Sequence, residues 1–224
     1  MDVTSIDGVT DPSSYVAKTY KGIGVFPGLH NAFDDIPEVY PRRGQAVDSV
    51  TGAKAFDDWA GQPFPTRTLR WIADSRANAL AMRTWLTNRQ GRRNAFWLPT
   101  CTWDMQYVAN FGSLLYTRGY GYVSDLFPNL SRAYLAIYPN GLTTVYFCKV
   151  TAADEVVASV GGVNVTCEEL TLDTTPPAFY YGRTKICFLT LCRLANDDFT
   201  IDWNGLNYAS FTIPVVEVPL EVPA

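Results

Sequence analysis

The sequence predicts a mainly β protein of the α+β class, with a β-sandwich or barrel-like core and one principal flanking helix at about residues 74–90. Aromatic residues make up 14% of the chain, and Thr and Val recur in short alternating runs that Gly and Pro interrupt. Such runs are typical of strands, and only one stretch carries a clear helical period. With 224 residues, of which 47% are hydrophobic, the chain can bury one large core or two small ones.

The N-terminal 65 residues contain many turn signals, among them Asp11-Pro12 and Pro27-Gly28. We therefore expect strands and long loops there, without a separate domain. The next segment, Thr66–Trp71 with the sequence TRTLRW, alternates between two sets of side chains. Because each set contains one arginine, we expect a strand whose faces are both partly exposed or interfacial.

The principal helix is predicted after this strand. Asp74 or Ser75 can accept hydrogen bonds from the first turn as N-cap, and Gly91 stands where a left-handed C-cap is expected. At 100° per residue one arc of the helix is apolar and the opposite arc is polar. The apolar arc comprises Ala77, Ala79, Ala81, Met82, Trp85 and Leu86, and the polar arc comprises Arg76, Arg83, Thr87 and Gln90. A short strand ending at Pro99 would complete a strand–helix–strand unit.

The C-terminal half continues with short strands. Pro139-Asn140-Gly141 predicts a hairpin turn between two of them, because Pro presets φ and Asn and Gly tolerate a positive φ. Further strands follow up to "YASFTIPVVEV", with turns at Gly161-Gly162, Asn196-Asp197 and Asn204-Gly205.

The charge is distributed unevenly. The chain has a net charge of −4, yet residues 66–100 hold seven basic residues against one acidic residue. An acidic chain is unlike a general nucleic-acid binder, and Trp85 belongs to the apolar arc, so we favour an assembly surface over base stacking. We expect the arginines to meet an acidic face of another copy or protein, in a contact that closes into a ring. This predicted subunit interface comprises Arg67, Arg70, Arg76, Arg83, Arg89, Arg92 and Arg93.

The residues favour neither catalysis nor a bound metal. His30 is the only histidine, and no nucleophile-elbow motif accompanies it. Adjacent acids such as Glu168-Glu169 would point to opposite faces of a strand and cannot flank one scissile bond. The five cysteines lack a ligand spacing, and the odd offset between Cys187 and Cys192 places them on opposite faces, so we expect buried thiols. We expect no enzyme activity, no cofactor and no metal.

Two segments are similar to proteins of bacteriophage tails. "TRTLRWIADSRANALAMRTWLTNRQGRRNAFWLPT" resembles a pattern in minor tail and distal tail proteins of long-tailed, siphovirus-type phages: a strand, a helix rich in Arg and Ala, an "RRG"-like turn and an aromatic strand ending in Pro. The ending "CRLANDDFTIDWNGLNYASFTIPVVEVP" is similar to the C-terminal part of such proteins. Neither segment carries a catalytic signature.

The resemblance implies a structural virion protein of the tail tip, assembled in the host cytoplasm. It implies a distal tail protein-like ring, with a hexamer favoured and a trimer possible, that links the tail tube to the hub around the DNA channel. Its other partners would be tube, hub and tape-measure proteins. Residues 1–140 with 181–224 would form the ring-building unit, and residues 141–180 an outer β-rich insertion, unless the chain is one continuous domain.

Two further expectations concern the partners and the alternative function. No run of about 18 apolar residues occurs, and the start lacks a basic segment followed by an apolar one, so we expect a soluble protein without a membrane span. We also expect no specific recognition of nucleic acid. The alternative function is a carbohydrate-binding or cell-surface β-module, since Tyr and Trp on β-loops can stack on sugar rings.

Overall fold

The structure is a computed structural model that describes residues 18–27, 38–39, 44–48, 54–58, 65–100, 102, 104–118, 121–139, 145–160, 162–179, 181–205, 208–218 and 221. Within these residues the strands are β1 (Thr19–Tyr20), β2 (Ile23–Gly24), β3 (Glu38–Val39), β4 (Gly44–Asp48), β5 (Lys54–Asp58), β6 (Thr66–Ala73), β7 (Phe96–Pro99), β8 (Met105–Phe111), β9 (Leu114–Arg118), β10 (Tyr134–Tyr138), β11 (Tyr146–Val160), β12 (Val163–Leu172), β13 (Lys185–Leu194), β14 (Thr200–Trp203) and β15 (Ala209–Glu217). The helix α1 spans Arg76–Asn88, a π-helical turn Tyr122–Leu126 and a 3₁₀ turn Leu130–Arg132. The predicted mainly β class with one principal helix is confirmed.

Six antiparallel strands close into a barrel around β13. One edge of β13 pairs with β10, as in Leu135 opposite Phe188, and the other edge pairs with β8, as in Met105 opposite Ile186. From β8 the pairing continues through β9, β12 and β11 and returns to β10. Closure pairs the edges of all six strands, so this part of the molecule has the barrel form of the predicted core.

A second, open sheet shares β13 with the barrel. The C-terminal half of β13 pairs with β7 on one edge and with β15 on the other. β15 also pairs with β14 and β6, and β6 pairs with β3. β6 and β7 flank α1 in the sequence but do not pair with each other, because β15 and β13 lie between them. The predicted strand–helix–strand unit therefore forms through two strands from the C-terminal part of the chain.

Three groups of buried side chains follow from this arrangement. β13 contributes side chains to each of the three groups. Its side chains alternate between two faces, and the strand runs from the barrel into the second sheet. Ile186 and Phe188 point into the barrel, Cys192 and Leu194 point towards α1, and Cys187, Leu189 and Leu191 point to the opposite face with Val25, Trp97 and Tyr134. The prediction that Cys187 and Cys192 lie on opposite faces is confirmed.

The N-cap of α1 is as predicted, whereas its C-cap is Arg89 and not Gly91. Ser75 Oγ accepts a hydrogen bond from the backbone N–H of Asn78 at 3.2 Å, so Ser75 is the N-cap. Gly91 has a φ of +61°, as predicted, and a Cβ at this position would collide with the carboxylate of Asp197. Gln90 also has a positive φ of 54°, and α1 ends at Asn88, slightly before the predicted end. The turn after α1 therefore depends on glycine for its conformation and for the close approach of Asp197.

The two arcs of α1 are largely as predicted. Ala79, Met82, Trp85 and Leu86 are buried against β6, β7 and β15, and all four members of the polar arc are exposed. Ala77 is the exception, since it is exposed and its neighbour Asn78 is buried in its place. Asn78 Nδ2 donates to Asp74 Oδ1 at 2.6 Å, which offsets part of the cost of burying the amide, while Asn78 Oδ1 is buried without a partner among the described residues.

The segment 141–180 contributes the longest hairpin of the described residues. The predicted strands before and after Pro139 are present as β10 and β11, while Asn140 and Gly141 lie outside the described residues. β11 begins beside β10, and the last residues of β12 pair with β9, so both strands belong to the barrel at one end. Between Ala152 and Thr166 the described pairing joins the two strands only to each other. Whether this part is a separate domain stays a prediction.

The buried thiols are confirmed for the four described cysteines, Cys148, Cys167, Cys187 and Cys192, whereas Cys101 lies outside the described residues. Burial raises the pKa of both Cys148 and Cys192 to about 12. Because the thiolate is the reactive form, these two cysteines carry about a thousandfold less of it than a free thiol at the same pH.

We therefore expect Cys148 and Cys192 to react with iodoacetamide at pH 8 at least about a hundredfold more slowly in the folded protein than in the unfolded protein. Peptide mapping by mass spectrometry, with the urea-unfolded chain as the control, measures both rates. Equal rates in the two states would contradict the burial of these thiols.

Candidate functional site

Arg67 lies in the interior of its own chain, so the prediction of a strand whose faces are both partly exposed or interfacial is wrong for this face. The side chain of Arg67 is 8% exposed, and its Nη2 lies 2.7 Å from Oε1 of Glu217, which is 2% exposed. Arg132 Nη1 approaches the same oxygen at 3.7 Å. The alternation of β6 places Arg67 on the side of Leu69 and Trp71, and β15 brings Glu217 to meet it. Arg67 therefore forms an internal ion pair, which removes it from the surface.

Five of the predicted interface arginines are exposed, and three of these lie on β6 and α1. Arg70 is exposed on the face of β6 opposite Arg67, and Arg76 and Arg83 are exposed on α1. Arg76 and Arg83 are seven residues apart, so they lie on the same face of the helix, two turns from each other. The guanidinium carbon of Arg76 lies 5.8 Å from the centre of the Trp203 ring, a weak cation–π contact at an exposed site.

Arg92 meets an acidic residue of its own chain. Its backbone N–H donates to Asp197 Oδ1 at 3.0 Å, and its Nη2 lies 3.4 Å from Asp197 Oδ2. The backbone hydrogen bond from Arg92 holds the pKa of Asp197 below its usual value. Arg193 Nη1 donates to the carbonyl oxygens of Arg92 and Arg93. These contacts across about a hundred residues hold the turn after α1 against the end of β13 and the loop before β14.

Arg89 and Arg93 lie at the C-terminal end of α1 and differ in exposure. Arg89 is half-buried, with its guanidinium carbon 4.7 Å from the centre of the Trp85 ring, and burial lowers its pKa. Arg93 is exposed and donates from Nη1 to Gln90 Oε1 at 3.3 Å. The seven arginines therefore do not form one surface: Arg67 is internal and Arg89 is turned towards the β1–β2 hairpin.

The sequence alone did not indicate which charged residues lie beside these arginines in the fold. Glu217 could have been found, because it has the same parity as Ile213 and Val215 in an alternating strand and should therefore share their buried face. Asp197 gave no comparable signal, since it lies in a loop about a hundred residues from Arg92. Lys18 lies near Arg89 only because the β1–β2 hairpin reaches α1.

Base stacking, catalysis by paired carboxylates and metal binding are the other candidate functions of these residues. Trp71, Trp85 and Trp97 are all buried, so they cannot serve as stacking platforms for bases. Glu168 is buried and the adjacent Glu169 is partly exposed, as expected for neighbours on opposite faces of β12. His30 lies outside the described residues. In the part of the chain that the structure describes, no three His, Cys, Asp or Glu side chains are grouped to hold a metal ion.

Comparison with known proteins adds no family to this arrangement of charged groups. No family model matches the chain, and no curated protein matches it. None of the helices in the described ranges is long and apolar enough to cross a membrane. The arrangement of the arginines and their partners is therefore the basis on which a function is proposed.

Proposed function

We propose that this protein is a structural subunit of a phage tail tip, a distal tail protein-like ring component that links the tail tube to the hub around the DNA channel. The observation that carries the proposal is the pair Arg76 and Arg83 on the outward face of α1. Among the described residues no carboxylate lies within ion-pair distance of either side chain. Two cations on a rigid surface helix of an acidic chain are suited to an acidic partner surface.

The helix that presents these cations is held firmly. Met82 and Leu86 are fully buried, and the Trp85 ring packs edge-to-face on Phe26 at 5.4 Å and on Phe96 at 5.2 Å. Because one face of α1 is anchored in this way, the opposite face keeps a fixed direction. The backbone of the helix is therefore already ordered, and only the side chains of Arg76 and Arg83 have to be ordered when they meet a partner.

The same chain offers an acidic surface. On the long hairpin Asp154 and Glu155 are both exposed, and Asp154 lies opposite the partly exposed Glu169. Like charges directly across a strand pair are unfavourable, so a cation from a partner would stabilise the pair of Asp154 and Glu169. A basic helix and an acidic hairpin on one subunit suit a head-to-tail contact, which closes into a ring when the rotation between copies permits. A hexamer is favoured and a trimer remains an alternative.

The double change Arg76→Glu with Arg83→Glu tests the assembly surface. We expect the variant to keep the wild-type circular dichroism spectrum and to need at least about tenfold more protein for assembly, equivalent to about 1.4 kcal/mol. Light scattering measures the mass and negative-stain microscopy shows the ring. Arg92 is left unchanged because its partner is Asp197 of the same chain.

The matched control is Arg183→Glu, at an exposed arginine in the turn before β13. This variant should assemble like the wild type. Rings that persist in the double variant, or a wild-type protein that stays monomeric at all concentrations, would overturn the proposal.

The alternative, a carbohydrate-binding or cell-surface module, is supported by two exposed aromatic rings on one hairpin. Trp203 is 44% exposed and Tyr208 is 56% exposed. The backbone N–H of Asn204, which follows Trp203, donates to the carbonyl of Tyr208. Exposed aromatic faces can stack on sugar rings. A monomeric mass together with glycan binding that is lost in Trp203→Ala would favour this function over the ring.

A further inference from the structure

A cavity of about 620 Å³ lies between the β1–β2 hairpin and the C-terminal half of α1 with its following turn. The hairpin is fixed in place at its base. The backbone N–H of Phe26 donates to the carbonyl of Trp97 at 2.7 Å, and Trp97 Nε1 donates to the carbonyl of Tyr20 at 2.9 Å. Both walls of the cavity are thus attached to the same sheet, and the space between them is part of the fold.

Arg89 is the central polar group of this cavity. Its guanidinium lies over the Trp85 ring at 4.7 Å, and a Cβ on Gly24 would lie 3.1 Å from its Nη1. Among the described residues the Nε of Arg89 is shielded from solvent and has no hydrogen-bond partner, and no acidic residue lines the cavity beside it. A partly desolvated guanidinium without a counter-charge is unfavourable, so an anion on its Nη donors would stabilise it.

The other charges of the cavity have the same sign. Lys18 and Arg93 line it together with Arg89, and none of the described lining residues is acidic. Burial lowers the pKa of Lys18 and of Arg89, which agrees with the lack of a carboxylate beside either group. Three cations around one cavity make a positive potential there, although the chain as a whole is acidic.

The size and the remaining lining indicate what kind of molecule fits. The volume is much larger than the roughly 30 Å³ that one water molecule occupies in the liquid, so a bare ion would leave most of it empty. Ile23, Ala81 and the edge of Trp85 supply apolar surface, and the backbone of the β1–β2 hairpin supplies polar groups. An anionic group attached to a small organic body suits both parts.

We propose that this cavity binds a small organic oxyanion, with the carboxylate or phosphate group on Arg89 and with Lys18 and Arg93 contributing further charge. The flat guanidinium, held between Trp85 and Gly24, presents its remaining donors to two oxygens of the ligand at once. This binding site is separate from the proposed ring contact, because Arg76 and Arg83 are not among its lining residues.

Titration of the full chain with citrate and with inorganic phosphate tests the proposal, with sodium chloride of equal ionic strength as the reference. We expect at least one of the two anions to bind by isothermal titration calorimetry and to raise the melting temperature above the sodium chloride reference. Tighter binding of citrate would identify carboxylates as the preferred group, and tighter binding of phosphate would identify phosphate esters.

Arg89→Gln should weaken that binding at least about tenfold, as expected for the loss of a charge-assisted hydrogen-bonding group. Arg183→Gln is the control, because Arg183 is exposed and lies outside both the cavity and the proposed ring contact, and its affinity should equal that of the wild type. If Arg89→Gln does not fold, Gly24→Ala serves instead, because the added methyl group displaces the guanidinium without changing a charge. Absence of binding by both anions, or equal binding by wild type and the Arg89 or Gly24 variant, would overturn the proposal and would leave the ring proposal untouched.

Discussion

Replacing Trp97 with alanine is expected to lower the free energy of unfolding by about 3–5 kcal/mol, the range for truncating a large buried aromatic side chain. Trp97 is fully buried, and its ring centre lies 4.9 Å from that of Tyr134 and 5.5 Å from that of Tyr20. Its Nε1 hydrogen bond to the carbonyl of Tyr20 also attaches the β1–β2 hairpin to the sheet. The variant therefore loses apolar burial and the anchor of the hairpin together.

Urea denaturation followed by circular dichroism measures this loss. Trp203→Ala is the control, because Trp203 is 44% exposed and its removal should cost less than about 1 kcal/mol. Trp97→Phe should fall between the two, since it keeps much of the apolar volume and loses the hydrogen bond. A change of less than about 1 kcal/mol in Trp97→Ala would contradict the position of this side chain between the hairpin and the barrel strand β10.

Glu217→Gln is expected to destabilise the protein by about 3–5 kcal/mol, because it removes the buried negative charge that lies against the guanidinium of Arg67. Arg67 Nη2 lies 2.7 Å from Oε1 of Glu217, and Arg132 Nη1 lies 3.7 Å from the same oxygen. A single change thus removes the negative charge that two cations share. Chemical denaturation at pH 7 measures the effect.

Glu221→Gln is the matched control, since Glu221 is partly exposed and pairs with Arg193 near the surface. Its effect should stay within about 1 kcal/mol, the usual range for an exposed ion pair. The double change Arg67→Met with Glu217→Leu should recover much of the lost stability, because apolar side chains of similar size avoid the cost of burying charge. If Glu217→Gln proved as mild as Glu221→Gln, the ion pair would not be buried in solution.

Local features were predictable where neighbouring residues are sufficient to specify them. The N-cap Ser75, the positive φ of Gly91 and the outward positions of Arg76 and Arg83 depend on residues within a few turns of α1. The exchange of Ala77 and Asn78 between the exposed and buried sides was not predictable in this way. It depends on how α1 is rotated against β6 and β15, and on the hydrogen bond from Asn78 to Asp74.

The candidate site was predictable only in its composition. The excess of arginine in residues 66–100 is visible in the sequence. Whether each arginine is buried, paired or exposed depends on residues far along the chain. Arg67 became internal because β15 carries Glu217 beside it, and Arg92 became paired because Asp197 is brought to the turn after α1. Contacts across 100 or more residues leave no periodic pattern in the sequence, so they had to be read from the fold.

The sequence by itself determined the β class, the single principal helix with its two faces, and the buried character of the described cysteines. These features follow from periodicity, capping and hydrophobicity, which act between near neighbours. The tertiary structure alone decided that β13 belongs to two sheets, that six strands close into a barrel, and that Lys18 joins Arg89 and Arg93 around one cavity. The physical reason is that strand pairing is set by hydrogen bonds between distant segments, and alternation within a strand shows that a face is apolar without showing what covers it.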